Sequence, residues 1–284
     1  MESAAALTRL LESAIAAIGN GDITTLQTLL SSHPELLEKR NITPREGYFA
    51  YPYLLWYIAD NPIRNNGLPE NILQITALLI KALTVAKVAS RQEQLDYALG
   101  LVATGRIPKT ANVQLAMIDL LIEAGAHPGT GIGALLNGNP EAATHLLNHG
   151  GKLTLATSLC LERPDDAAKL WNEATETDKQ FALAAASYCG KADAIRFLIS
   201  HGVGVNGFNP ESAHPHSTPL HQAVASGSRE SVSLLLQAGA DTQVRDRIYD
   251  GKPVDWAIHL AHNAQSSAEK LNYQNIAQLL GESV

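Results

Sequence analysis

Cysteine is almost absent from this chain. Only Cys160 and Cys189 occur among 284 residues, too few for a disulfide framework or a cysteine-rich zinc site, so a reducing, cytoplasmic setting is expected. Basic runs are missing as well. With 21 Lys and Arg against 28 Asp and Glu, a formal charge of -7 and no cluster of cations, there is no electrostatic footprint for a phosphate backbone. No uninterrupted apolar run approaches the roughly 18 residues of a membrane span. The opening "MESAAALTRLLESAIAAIGNG" lacks the basic start and continuous apolar stretch of a signal peptide. The expectation is therefore no nucleic acid and no membrane as partner.

Catalytic motifs are equally scarce. There is no GxSxG and no HExxH in the sequence. The glycine-rich "HPGTGIGALLNGN" (127–139) lacks the Gly-Lys-Ser/Thr ending of a phosphate loop, does not complete GxGxxG and follows a helical rather than a strand pattern. It reads as a loosened turn. Nothing basic is positioned by the sequence to activate Cys189, so nucleophilic catalysis is not expected. "PDD" at Pro164–Asp166 reads as a helix start, with acidic groups near the positive end of the dipole.

What the chain does contain is 45% hydrophobic residues and a recurring phrase. Apolar residues, two further residues and a glycine close "LLIEAG" at Gly125, "HLLNHG" at Gly150, "FLISHG" at Gly202 and "LLLQAG" at Gly239. Each phrase is the end of an amphipathic helix with glycine just past the last turn, where left-handed backbone costs nothing. Shorter alanine-rich segments precede them, as in "FALAAASYCGKADAIRFLISHG" (181–202) and "TPLHQAVASGSRESVSLLLQAG" (218–239). The unit is thus a pair of antiparallel helices turning at Gly190 or Gly227. Ala184, Ala185, Ala223 and Ala225 let neighbours approach, and the second helix fills the space behind. One pair cannot bury its apolar face alone, whereas a stack can.

At this point the residues resemble a family. "STPLHQAVASGSRESVSLLLQAGADTQVRD" (217–246) is similar to an ankyrin repeat in Thr218, Pro219, Leu220, His221, Gly227, Gly239, Ala240 and Asp241. The other repeats are weaker copies placed by analogy, and the "HPELL" and "DGKPVDWA" stretches resemble bacterial ankyrin proteins. The resemblance implies an all-α solenoid of stacked helix pairs. It also implies a single domain of about eight repeats, at 8–41, 48–87, 93–127, 129–151, 152–177, 178–206, 214–246 and 250–282. Repeat two would have "YPYLLWYIA" as its first helix and "ENILQITALLIKAL" as its second; repeat three carries the enlarged turn "GRIPKTANV", and repeats four and five are too short for a full hairpin finger.

The resemblance further implies a non-enzymatic module that binds an unidentified protein or peptide on a concave surface. No cofactor and no metal are expected, and the chain itself should be monomeric. A bacterial regulator or an immunity-type antagonist is the narrower expectation. The contact positions carried across are His214, Pro215, His216 and Ser217 on the finger of repeat seven, Ala225 and Ser226 before its inter-helix turn, Tyr188 and Cys189 in repeat six, and Ile248, Tyr249, His259 and Leu260 in repeat eight. In the resembled repeat His221 is structural, bonded with Thr218 across the turn. His214 and His216 form an HxH pair that lacks a third convergent ligand in the local sequence. Most other histidines, including His145, His149 and His201, sit at the ends of second helices, where a partly charged ring is favoured.

"YFAYPYLLWY" holds six of the 15 aromatic residues. Leu54, Leu55 and Ile58 with one or two aromatics read as core. Tyr48, Phe49 and Tyr51 precede the first helix and are candidate anchors of a binding surface. The alternative to a binding module is an enzyme for a small molecule or metal, built on the His-bearing concave face; a third reading is an assembly role through a terminal repeat.

Overall fold

The computed structural model describes residues 2–211 and 213–282, and helices are the regular elements among them, with no strand. The chain divides into two compact units, Met1–Lys152 and Leu153–Val284.

The first unit contains α1 (Glu2–Asn20), α2 (Ile23–Ser32), 3-10 helices at Pro34–Leu37 and Leu54–Ala59, α3 (Ile72–Val85), α4 (Arg91–Thr104), α5 (Arg106–Thr110), α6 (Gln114–Glu123), α7 (Ile132–Leu136) and α8 (Pro140–Asn148). Two rows run through it. The first-helix row places the Leu54–Ala59 element between α1 and α4, and α4 against α7; the second-helix row runs α2, α3, α6, α8. The enlarged turn of repeat three is occupied by α5.

Repeat two corrects the sequence reading. Its first helix is not an α-helix over 51–59 but six residues of 3-10 helix, every one of them buried. Pro62 lacks an N–H and would break an α-helix continued this far. The chain instead stops at Asp60, left-handed at φ 44, whose buried carboxylate accepts the backbone N–H groups of Arg64 and Asn65. Phe49, Tyr53 and Trp56 occupy the volume that alanines leave open elsewhere.

The second unit contains α9 (Leu155–Cys160), α10 (Pro164–Trp171), α11 (Glu176–Tyr188), α12 (Ala192–Ser200), α13 (Pro219–Ala225), α14 (Arg229–Gln237), α15 (Pro253–His262) and α16 (Ser267–Glu282). Its first helices stack in the order α9, α11, α13, α15, and α12, α14 and α16 form the row behind. Burial follows the two roles. Residues Pro219–Val224 of α13 are buried on all sides, whereas α14 buries only Ser231, Val232 and Leu235, the amphipathic pattern of a helix with one solvent face.

Local chemistry sets the boundaries. Thr175 and Asp178 close a capping box at the start of α11, Ser228 accepts the Ser231 N–H at the start of α14, and Pro140, Pro164, Pro219 and Pro253 enter first helical turns where no donor is lost. The glycines after α12 and α14 are left-handed, Gly202 at φ 85 and Gly239 at φ 83. In 127–139 the glycine requirement is steric: a Cβ on Gly131 would meet the Ala143 carbonyl oxygen at 3.0 Å. The stretch is not a loosened turn throughout: its second half is the helix α7, packed on α8.

Candidate protein-interaction surface

The hairpin between α14 and α15 is built around one carboxylate. Asp246 accepts from the backbone N–H groups of Ile248 (2.9 Å), Tyr249 (2.7 Å) and Gly251 (3.0 Å) and from the Trp256 indole (2.9 Å). Burial pushes this carboxyl up, but the four donors more than offset it, and its pKa is lowered to about 2. The tip is therefore rigidly held. Even so, it presents Ile248 at 62% and Tyr249 at 74% exposure, large apolar surface that the fold does not use.

His221 ties the same hairpin to α13. The Thr218 N–H donates to its Nδ1 at 3.3 Å, and the Thr218 hydroxyl lies 2.8 Å from that nitrogen. Nε2 lies 3.0 Å from the Gly251 carbonyl, an acceptor only, so Nε2 carries the proton. Burial lowers the His221 pKa, with the Gly251 carbonyl and Asp246 opposing. A neutral, buried ring thus joins repeat seven to the hairpin that opens repeat eight.

The finger before α13 carries the other two histidines. His214 is left-handed at φ 58, its carbonyl accepting from the Ser217 N–H and hydroxyl. Its ring stacks on Tyr188 at 5.1 Å and 10° and meets His216 edge-on at 5.9 Å; His216 in turn stacks over Trp256 at 6.2 Å. Burial and the neighbouring His216 lower the His214 pKa. The Arg247 N–H donates to the His216 carbonyl at 2.8 Å, joining this finger to the Ile248–Tyr249 tip. Tyr188, His214, His216, Ile248 and Tyr249, drawn from three repeats, are thereby brought side by side.

Residues 132–246 match the family model "Ankyrin repeats (3 copies)". Residues 132–246 are ankyrin repeats. A solved structure that the chain is similar to, "Crystal structure of human ASB11 ankyrin repeat domain", is 19% identical, covers 73% of this chain and 96% of that chain, and has a TM-score of 0.35. No curated protein matches. Ankyrin repeats are in general protein–protein interaction modules, and no helix among the described residues is long and apolar enough to cross a membrane.

The expected contact residues separate. Ser217 is buried, its hydroxyl accepting from Gln222 at 2.6 Å, and so leaves the candidate surface. Phe49 leaves it too: it is only 3% exposed, edge-on to Tyr57 at 5.3 Å under the Arg64 guanidinium. Its neighbours in the first unit stay outside, Tyr48 at 60% and Tyr51 at 42% exposure, with the Tyr48 hydroxyl donating to Asn61. Pro215, Ala225, Ser226 and Leu260 are half-buried and His259 is exposed. The Ala225 carbonyl is already occupied by the Tyr273 hydroxyl.

Two features escaped the sequence reading. Arg247 lies 3.7 Å above the Phe208 ring, a pairing between repeats that no local spacing signals. Cys189 does have activating neighbours, contrary to expectation: a hydrogen bond from Cys160 and the Lys191 ammonium lower its pKa against the opposing effect of burial. "CGK" at 189–191 was the available signal.

Proposed function

We propose that the protein is a non-enzymatic binding module whose contact surface in the second unit is the line formed by Tyr188 at the end of α11 and the finger residues His214, His216, Ile248 and Tyr249. The observation that carries this reading is the hairpin tip, where an isoleucine and a tyrosine are exposed while Asp246 holds their backbone in place. A tip whose backbone is already held loses less conformational freedom on binding, and aromatic anchors dominate interface energetics. The rings around it are aromatic and imidazole, which suits a protein or peptide rather than an anionic polymer. A regulator or immunity-type antagonist is the narrower role we propose for such a module, resting on analogy of fold. Tyr48 and Tyr51 form a separate candidate patch on the first unit.

Affinity capture from the source cells with the wild-type protein and with the Ile248→Ala/Tyr249→Ala variant tests the proposal. Recovery of a specific partner by the wild type, reduced at least tenfold in the variant, is the expected result. Equal recovery by both would place the contact elsewhere.

A further inference from the structure

The second helices of repeats three and four bring together three side chains that no sequence motif connects. Asp119 lies on α6, His145 lies in the last turn of α8, and His149 is the residue that ends α8. His145 Nε2 is 2.6 Å from Asp119 Oδ1, and His149 Nε2 is 3.6 Å from the same oxygen. One donor atom from each of the three residues falls within 4.8 Å of the other two. The imidazoles, one helical turn apart, have centroids 4.3 Å apart.

We infer that Asp119, His145 and His149 form a binding site for a divalent transition ion of the zinc class. The tautomer of His149 is already set. Its Nδ1 lies 2.8 Å from the His145 carbonyl oxygen, which only accepts, so Nδ1 carries the hydrogen and the lone pair of the neutral ring is on Nε2, toward Asp119. An outer hydrogen bond of this kind orients metal-bound histidines. Zinc takes imidazole nitrogen and carboxylate oxygen at about 2.0–2.2 Å in a tetrahedron, which sets ligand atoms roughly 3.3–3.5 Å apart, and the present separations bracket that value. The two imidazoles favour zinc, nickel or copper over calcium or magnesium. Access is open: Asp119 and His149 side chains are each 41% exposed, and a shallow groove lined by Glu141, Thr144 and Asn148 adjoins His145, leaving room for water as the fourth ligand. Metal at His145 Nε2 displaces the hydrogen shared with Asp119, which the neutral imidazole then carries on Nδ1, and the bound ion clamps α6 to α8, so the site stabilises the stack of repeats three and four.

The test is a calorimetric titration of the full chain, stripped with chelator, with Zn2+ alone, accompanied by thermal melts and by the visible spectrum of the Co2+ form. One equivalent should bind saturably, raise the Tm and give the absorption of tetrahedral cobalt. His149→Gln, at the exposed end of α8, and His145→Ala should each weaken binding at least tenfold. His214→Ala/His216→Ala, which removes the other close histidine pair, should leave the affinity unchanged. Absence of saturable binding by the wild type, or undiminished binding by His149→Gln with its apo melt intact, would overturn the assignment.

Discussion

Repeats two and seven solve the same structural problem with different chemistry. Repeat seven uses a short helix of small residues, Pro219–Ala225, whose Thr218 and His221 satisfy each other and whose imidazole reaches the Gly251 carbonyl of the next repeat. Repeat two uses a buried 3-10 turn, Leu54–Ala59, in which Trp56 stands in for both parts. Its ring packs against Phe49, Tyr53 and, at 4.2 Å, Tyr97, and its indole N–H donates to the Gln94 carbonyl of the next repeat at 3.2 Å. Both first elements are buried, and each sends one hydrogen bond to the following repeat. The TPLH sequence is one way to do so.

The largest expected effect comes from removing the aromatic solution. Trp56→Ala should cost about 3–5 kcal/mol, the usual range for emptying a large buried site, read by urea unfolding, with hydrogen exchange rising in residues 53–102. His221→Ala in repeat seven should cost less, about 1–3 kcal/mol, because the imidazole is smaller than an indole and the loss is chiefly of paired polar groups. If the two costs were reversed, packing and hydrogen bonding would have been assigned to the wrong repeats.

Acid sharpens the comparison further. Asp246 has a pKa of about 2 when folded against 3.8 for the free side chain, so its contribution is complete above pH 3.8 and is lost as the pH falls toward 2. The loss is about 2 kcal/mol. Asp246→Asn should remove this part of the acid limb of the stability curve, measured by denaturant titration from pH 5 to 2. The smallest effect is expected at the tip itself: Tyr249→Ala should change stability by no more than about 0.5 kcal/mol, since the ring is 74% exposed and the backbone bonds to Asp246 remain.

The same contrast explains what could be read from the residues alone. Repeat seven was legible because its helix starts, glycine turn and apolar spacing all agree, and the order of helices in the second unit followed. The shape of repeat two was hidden because six aromatics in ten residues have no helical period, and the break before Pro62 depends on how Asp60 is held. Between Tyr48 and Tyr51 nothing in the sequence separates the buried Phe49 from its exposed neighbours. The Asp119, His145 and His149 cluster was invisible for another reason: helix periodicity predicts that α6 and α8 exist, but not which of their residues face each other. In the sequence, His145 and His149 read only as helix-end residues.

The Asp246-held hairpin tip is the proposed point of contact with a partner. Replacing Tyr249 with a photo-reactive phenylalanine analogue, irradiating the source cells and identifying adducts by mass spectrometry tests it most directly, with the same probe at Val85, exposed at the end of α3, as the control. A single protein adduct from position 249, absent from position 85, is the predicted result. Adducts of the same protein from both positions, or none from 249 while 85 captures one, would contradict it.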